Sequence, residues 1–306
     1  MKAIDLFSGM GGFSTGATMA GLDVVWAANH WPDAVKYHAI NHPRTQHECQ
    51  DLQQARWETV PAHDIGLASP CCQGHSRASG KRRNAPSYDG SRSTAFAVVT
   101  AAEVHRQPLW VIENVEDFLR WELYPAWKHA MELLGYSLSP HLVDVADLGV
   151  PQNRERLFII ATLSKAPLVL DLPKVAHVPA STFIDFESGN WQPIHKPGRS
   201  KNTLARVASG RERFGEQFLA PYYSSGSGKT GRSLDRPIGT ITTRDRWSVV
   251  NGDHMRMITK HEAAAAMGFP EDTVLPPSHK LALHMLGNAV PPKAAQVVIN
   301  EAVRSL

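Results

Sequence analysis

The sequence predicts an α/β protein: a Rossmann-like, doubly wound parallel sheet joined to a smaller irregular domain. Three observations carry this reading. Over the first 160 residues, short apolar runs alternate with helix-like segments, the pattern of repeated βαβ units. The run Ala3-Ile4-Asp5-Leu6-Phe7 leads directly into Gly9-Met10-Gly11-Gly12, a glycine loop of the kind that opens ligand sites in such sheets. Beyond residue 164 the composition turns to Pro, Gly, Ser and Arg and the periodicity fades.

In chain order, residues 3–7, 23–28, 65–69, 110–113 and 157–161 predict strands, and residues 15–20, 33–41, 95–106 and 125–134 predict helices. Helical pattern returns at 261–267 and 292–303. The boundaries that follow are residues 1–164 plus 285–306 for the sheet domain and 165–284 for the second domain. Parallel strands with crossover helices place ligands at the carboxyl ends of the strands.

Composition narrows the function. With 306 residues and 42% hydrophobic content the chain can bury a real core, which excludes a disordered protein. The net charge of +3 excludes a polycation, yet residues 190–256 carry 12 Lys/Arg against 5 Asp/Glu. That stretch is about +7 and leaves about −4 to the rest, a local field suited to phosphate backbones. A solvated irregular domain would show the same charge. No apolar run reaches membrane-spanning length, and the glycine-bound opening strand is not a secretory signal. Three cysteines cannot all pair, so a reducing, cytoplasmic setting is expected. Adjacent Cys71 and Cys72 lack the spacing of zinc pairs, and no metal is expected.

Four strings carry chemistry. The glycine string reads Asp5-Leu6-Phe7-Ser8-Gly9-Met10-Gly11-Gly12-Phe13 and fits the dinucleotide pattern poorly. Pro70-Cys71-Cys72-Gln73-Gly74 sets thiols on a tight loop behind an apolar stretch. Glu113-Asn114-Val115 ends another strand. In Gln152-Asn153-Arg154-Glu155-Arg156, strand alternation places Gln152, Arg154 and Arg156 on one face. Taken singly, each has an ordinary reading: structural thiols, an exposed strand-end carboxylate, a solvated charged strand.

In this order the four strings resemble the cytosine-C5 DNA methyltransferases. Three further motifs extend the likeness: Pro237-Ile238-Gly239-Thr240-Ile241-Thr242-Thr243-Arg244, Ile258-Thr259-Lys260-His261-Glu262 with Met267-Gly268-Phe269-Pro270, and Leu286-Gly287-Asn288-Ala289-Val290-Pro291-Pro292. The resemblance covers residues 1–164 and 237–303. It implies an S-adenosylmethionine-dependent methyltransferase sheet, a DNA-recognition domain and a cofactor held by Phe7, Gly9, Met10, Gly11 and Gly12. Trp31 would flank the adenine, Asp51 would accept from its amino group, and Asn288 and Val290 would close the pocket. The family's ribose-binding acid is replaced by His30. A neutral imidazole can accept only one hydrogen bond there.

Cytosine C5 is too weak a nucleophile to take a methyl group unaided. A thiolate adding at C6 makes the ring an enamine. By alignment with the family's pattern that thiolate is Cys72, with Cys71 in place of a proline; Cys71 as nucleophile and two structural cysteines are the alternatives. Glu113 would hold or protonate N3, Arg154 would contact O2, and Arg156 would orient the glutamate. Arg92 is a candidate phosphate contact, its loop reading equally well as flexible cover, and the basic 80–90 stretch is expected to move on binding. The implied partner is double-stranded DNA, with the target base flipped out; a cognate restriction endonuclease is a candidate partner, and a monomer is expected. An RNA-directed relative, transfer of a different group, and a catalytically weak DNA-binding relative are the competing functions.

Overall fold

The computed structural model describes residues 1–71, 93–222 and 231–306. Its first half runs β1 (Lys2–Leu6), α1 (Gly12–Met19), β2 (Asp23–Asn29), α2 (Pro32–Asn41), β3 (Gln46–Cys49), β4 (Ile65–Ala68), α3 (Phe96–His105), β5 (Leu109–Asn114), α4 (Tyr124–Leu133), β6 (Ser137–Asp144) and β7 (Glu155–Thr162). The second half adds β8 (Gln192–Pro193), α5 (Lys201–Phe214), β9 (Gln217–Pro221), β10 (Trp247–Asn251), β11 (His254–Met257), α6 (Lys260–Ala266), α7 (His279–Asn288) and α8 (Pro292–Arg304). Two units emerge. One comprises Met1–Leu148, Glu155–Lys174 and Ala289–Leu306; the other comprises Gly149–Arg154 and Val175–Asn288.

The first unit is built on a seven-stranded sheet among the described residues, in the order β3-β2-β1-β4-β5-β7-β6. β3, β2, β1, β4 and β5 are parallel. β7 runs antiparallel to both β5 and β6, so the all-parallel expectation gives way to a mixed sheet. β3 and β6 were not foreseen. β3 reads Gln-His-Glu-Cys, with no apolar run to betray it, and β6 carries Pro140, tolerated because β6 lies at the sheet edge. One face buries Trp26, Trp110, Ile112 and Ile159 against Val98 and Ala101 of α3 and Trp127 and Met131 of α4. The Trp127 indole donates to the Ala95 carbonyl at 3.0 Å, so its one polar atom is satisfied. α1 packs on α8 so tightly that a Cβ at Gly16 would lie 2.5 Å from the Ala295 Cβ.

The second unit is more ordered than its composition suggested. Among the described residues it holds a four-stranded antiparallel sheet, β8-β11-β10-β9. α5 starts at Ser200, whose Oγ accepts from the Thr203 amide, and packs on β9 with Val207 against the core of Phe218, Val250 and Met255. α6 opens with a capping box, Thr259 and Glu262 each satisfying the other's main-chain N–H. Glu262 also pairs with buried Arg256 at 2.7 Å and accepts from the Asp185 amide, which makes it a structural residue.

Candidate active site

The sheet order puts β3, β2, β1, β4 and β5 side by side and parallel, so their carboxyl ends share one edge. Each end carries one of the strings read from the sequence: Asp51 after β3, His30 and Trp31 after β2, the glycine loop after β1, Pro70 and Cys71 after β4, Glu113 and Asn114 at the tip of β5. A chemically mixed set is thereby gathered by topology alone.

At β1 the chain turns through three left-handed positions, Phe7 at φ 62°, Gly9 at 55° and Gly11 at 96°. Glycine takes this conformation freely, but a phenylalanine does not, so Phe7 is held there by its surroundings. The Ser8 amide bonds the Ala28 carbonyl and the Gly11 amide the Ser8 carbonyl. A Cβ on Gly11 would come within 2.6 Å of His42 Nε2, whereas one on Gly9 would meet nothing nearer than 4.0 Å. The loop is thus pressed onto the protein at Gly11 and leaves open space at Gly9. Met10 is fully buried and belongs to the core. Asp5, wholly buried at the base of the loop, accepts from the Ser14 amide and hydroxyl at 3.1 and 2.6 Å and so fixes the first turn of α1. Burial pushes the Asp5 carboxyl up to about 7.

The neighbouring ends are simpler. Asn29 does not reach out of β2: its Oδ1 accepts from the Trp31 amide at 3.0 Å, where α2 begins. His30 is exposed and Trp31 partly so. Asp51 caps the short turn that follows β3, accepting from the Gln53 amide through Oδ1 at 3.0 Å.

At β5, Glu113 is 7% exposed and its Oε1 lies 2.9 Å from Arg156 Nε of β7. The register explains the meeting: Glu113 faces Phe158 and Asn114 faces Leu157, which brings Arg156 level with the tip of β5. The Asn114 amide donates to the Pro70 carbonyl at 3.2 Å, tying the strand that leads to the cysteines to the same tip. Cys71 is partly exposed. Cys72, Arg92 and the 80–90 loop lie outside the described residues.

Arg154 departs from expectation. β7 starts at Glu155, so strand alternation does not reach back to it, and Arg154 belongs to the second unit with Gln152. It is 2% exposed, and its two terminal nitrogens donate to the carbonyls of Ile241 and Gly287 at 2.8 and 2.9 Å. Gln152 is also buried, accepting from the Ile241 amide and donating to the Ala266 carbonyl. These two side chains staple together the segments around 241, 266 and 287. Arg156, which the resemblance gives the role of orienting the glutamate, is the arginine that pairs with Glu113. Asn288 closes α7 in the second unit, while Val290, 3% exposed, lies in the first.

The second unit also holds a cleft of about 940 Å³ lined by Arg213, Arg232 and Arg236 with Phe214, Trp247 and Thr240 among others. Arg232 donates to Asn153 Oδ1 at 2.6 Å. Only the regional charge is legible in the sequence; the arginines come together because α5, β9 and the segment ahead of β10 fold onto one another. Among the described residues, no helix is long and apolar enough to cross a membrane.

Comparison with known proteins adds the context. The family model for C-5 cytosine-specific DNA methylases matches residues 1–204 and 199–304. The type II methyltransferase M1.HphI of Haemophilus parahaemolyticus is 26% identical over 96% of this chain and 84% of its own length. M.HhaI, from the same organism, is 27% identical over 95% and 90%. M.HgiDI of Herpetosiphon aurantiacus reaches 37% identity over 52% of each chain. Among solved structures, an E. coli chain described as a prophage-encoded DNA modification methyltransferase superposes with a TM-score of 0.72 at 22% identity, covering 100% of this chain and 99% of its own. The Dnmt2 methyltransferase of S. pombe follows at 0.70 and 16%, covering 99% and 98%. At these identities the two structures speak to the fold.

Proposed function

We propose, from the premise that the chain belongs to the C-5 cytosine-specific DNA methylase family and is a DNA cytosine-5-methyltransferase, that its donor is S-adenosylmethionine and that its nucleophile is Cys72. The observation that carries the reading is the Glu113–Arg156 pair at the tip of β5, with Asn114 anchoring the approach to the cysteines.

The residues present fit the donor. A left-handed turn at Phe7, Gly9 and Gly11 exposes main chain to a ligand, Gly9 leaves room that a side chain would take, and Phe7 and Trp31 offer aromatic faces for adenine. Asp51 keeps its second carboxylate oxygen outside its capping bond to Gln53. His30 stands where relatives by resemblance carry an acid, and it supplies one acceptor to the ribose hydroxyls. Bound there, S-adenosylmethionine supplies a methyl group activated on a sulfonium.

The rest is done by the protein. The Cys72 thiolate adds to C6 of a flipped cytosine and raises the electron density at C5. Glu113, its charge held by Arg156, shares a proton with N3 as negative charge develops in the ring. We propose that Arg156 also approaches the base's O2, the contact that the resemblance gives to Arg154, because both terminal nitrogens of Arg154 are engaged by the carbonyls of Ile241 and Gly287. After transfer, loss of the C5 proton lets the thiolate leave. The arginine-lined cleft of the second unit, with Phe214 and Trp247, holds the phosphate backbone of double-stranded DNA. The type II relatives make a cognate restriction endonuclease the proposed partner, and the enzyme works as a monomer.

Incubation of the protein with methyl-labelled S-adenosylmethionine and unmethylated duplex DNA, followed by nucleoside mass spectrometry, tests this. Labelled 5-methyldeoxycytidine is expected from the native chain and from Cys71→Ser, and not from Cys72→Ser. Label in tRNA alone would overturn the DNA substrate, and retention of activity in Cys72→Ser would overturn the nucleophile.

A further inference from the structure

Beneath the glycine loop lies a polar chain that the reaction described above does not use. Asp5 Oδ2 accepts the Ser14 hydroxyl at 2.6 Å; Ser14 Oγ lies 3.0 Å from His38 Nε2; His38 Nδ1 lies 2.8 Å from His47 Nε2. Asp5, Ser14 and His38 are fully buried, while His47, on the edge strand β3, is partly exposed. The chain therefore connects solvent at β3 to a buried carboxyl at the root of the loop. His42 completes the floor: its Nε2 is 3.2 Å from Thr15 Oγ1, and the Gly11 main chain rests on its ring. Among the described residues, the titratable groups facing this chain are Asp5 from β1, His38 and His42 from α2, and His47 from β3.

Counting hydrogens fixes the direction of the bonds. With Asp5 ionised, the Ser14 hydroxyl must donate to it. Ser14 Oγ then accepts from His38 Nε2–H, and His38 Nδ1 accepts from His47 Nε2–H. Both imidazoles are neutral in this arrangement, in keeping with the burial that holds them below the usual histidine range. With Asp5 protonated, every bond reverses: Asp5 donates to Ser14, Ser14 to His38 Nε2, and His38 Nδ1–H to His47 Nε2. The two states differ by one proton. It enters at His47 Nδ1 as each Nε2–H and O–H proton shifts one place along, and it leaves by the reverse route. Both states satisfy Ser14 and His38 fully, and Asp5 Oδ1 has no hydrogen-bond partner among the described residues in either.

We infer that Ser14, His38 and His47 form a proton relay that sets the charge of Asp5 under the donor loop, so that binding of a sulfonium cofactor expels a proton to solvent and the neutral thioether product lets it return. The reason is electrostatic. The donor carries a positive sulfonium that the product lacks, and a carboxylate in a low-dielectric site favours the cation. Donor and product share the same amino and carboxyl groups, so only the sulfonium distinguishes them toward Asp5. Asp5, Ser14 and His38 are positioning residues here, not catalytic ones. The inference rests on S-adenosylmethionine as the donor.

Isothermal titration calorimetry of the full chain tests it, near pH 7, in phosphate and in Tris, which differ in ionisation enthalpy. Titrants are S-adenosylmethionine and S-adenosylhomocysteine. The expected result is more protons released by the donor than by the product, and a donor-to-product affinity ratio that rises severalfold between pH 6 and pH 8. Asp5→Asn should bind both ligands with equal proton counts and a flat ratio. Ser14→Ala, which cuts the relay while keeping the carboxylate, should slow proton release seen by a pH indicator dye in stopped flow. Equal proton counts for the two ligands in the native chain would overturn the relay while leaving the donor assignment intact. Heat from neither ligand would overturn the donor assignment, and the relay with it.

Discussion

Glu113 and Arg156 hold one another at 2.9 Å with both side chains nearly buried, so cutting one removes a charge-assisted bond at the tip of β5. Arg156→Ala is expected to lower kcat by about 10²–10³-fold, the scale of losing one charge-stabilising group, as read in a steady-state methylation assay. Arg154→Ala should behave differently. Its loss strips the buried carbonyls of Ile241 and Gly287 of their donors, at about 1–3 kcal/mol for each unsatisfied group, and the clearest reading is a lowered melting temperature. Asp5 carries a stability cost of its own. Its carboxyl is raised from the usual 3.8 to about 7, and at about 1.4 kcal/mol per unit the folded state loses on the order of 4 kcal/mol as pH rises through that window. Asn at position 5 keeps an acceptor for Ser14 without the charge. Asp5→Asn should therefore melt higher than the native chain at pH 8, with the gain gone at pH 5.

At the scale of elements, the close seating of α1 on α8 decides one test. Gly16→Ala would gain up to about 1 kcal/mol of helix propensity. The new Cβ, however, would stand 2.5 Å from the Ala295 Cβ and 2.6 Å from the Pro292 carbonyl, an overpacking worth about 1–3 kcal/mol. The clash involves backbone that cannot swing aside, so chemical denaturation should show net destabilisation. The sequence made the central elements legible for a physical reason: β1, β2, β4, β5 and β7 are buried apolar runs of strand length. β3 was hidden because an edge strand of polar residues has no period to read, and β6 because its proline argues against a strand that only edge position permits. The site strings were legible as strings, but the separation of Arg154 from Arg156 was not. It depends on the chain entering β7 at Glu155, a boundary that alternation does not mark. The arginine cleft of the second unit was invisible for a different reason, since Arg213 and Arg232 meet only through the pairing of β9 with its neighbours.

For the whole molecule, histidine sets the response to acid. Among the described residues, burial holds His38, His42, His47, His63, His105, His141 and His284 below the usual histidine value. Each must take up a proton on unfolding in acid, so each contributes stability that is lost as pH falls below about 6.5. Two groups act the other way. His279, raised by its bond to Asp245, contributes stability that is complete below its unfolded value and fades as pH rises through its folded one, and Asp5 likewise favours the acid side. Asp5→Asn removes the opposing carboxyl, so this variant is expected to lose more melting temperature between pH 7 and pH 5 than the native chain, measurable by scanning fluorimetry. We propose that one edge of the first unit's sheet performs covalent cytosine chemistry. The most direct test is intact-mass and peptide analysis after mixing the protein, S-adenosylmethionine and duplex DNA in which cytosine is replaced by 5-fluorocytosine, whose C5 cannot lose its substituent and so traps the adduct. A protein–DNA adduct mapped to Cys72, kept in Cys71→Ser and absent from Cys72→Ser, is the predicted result. An adduct on Cys71, or methyl transfer to ordinary DNA with no trapped adduct, would contradict it.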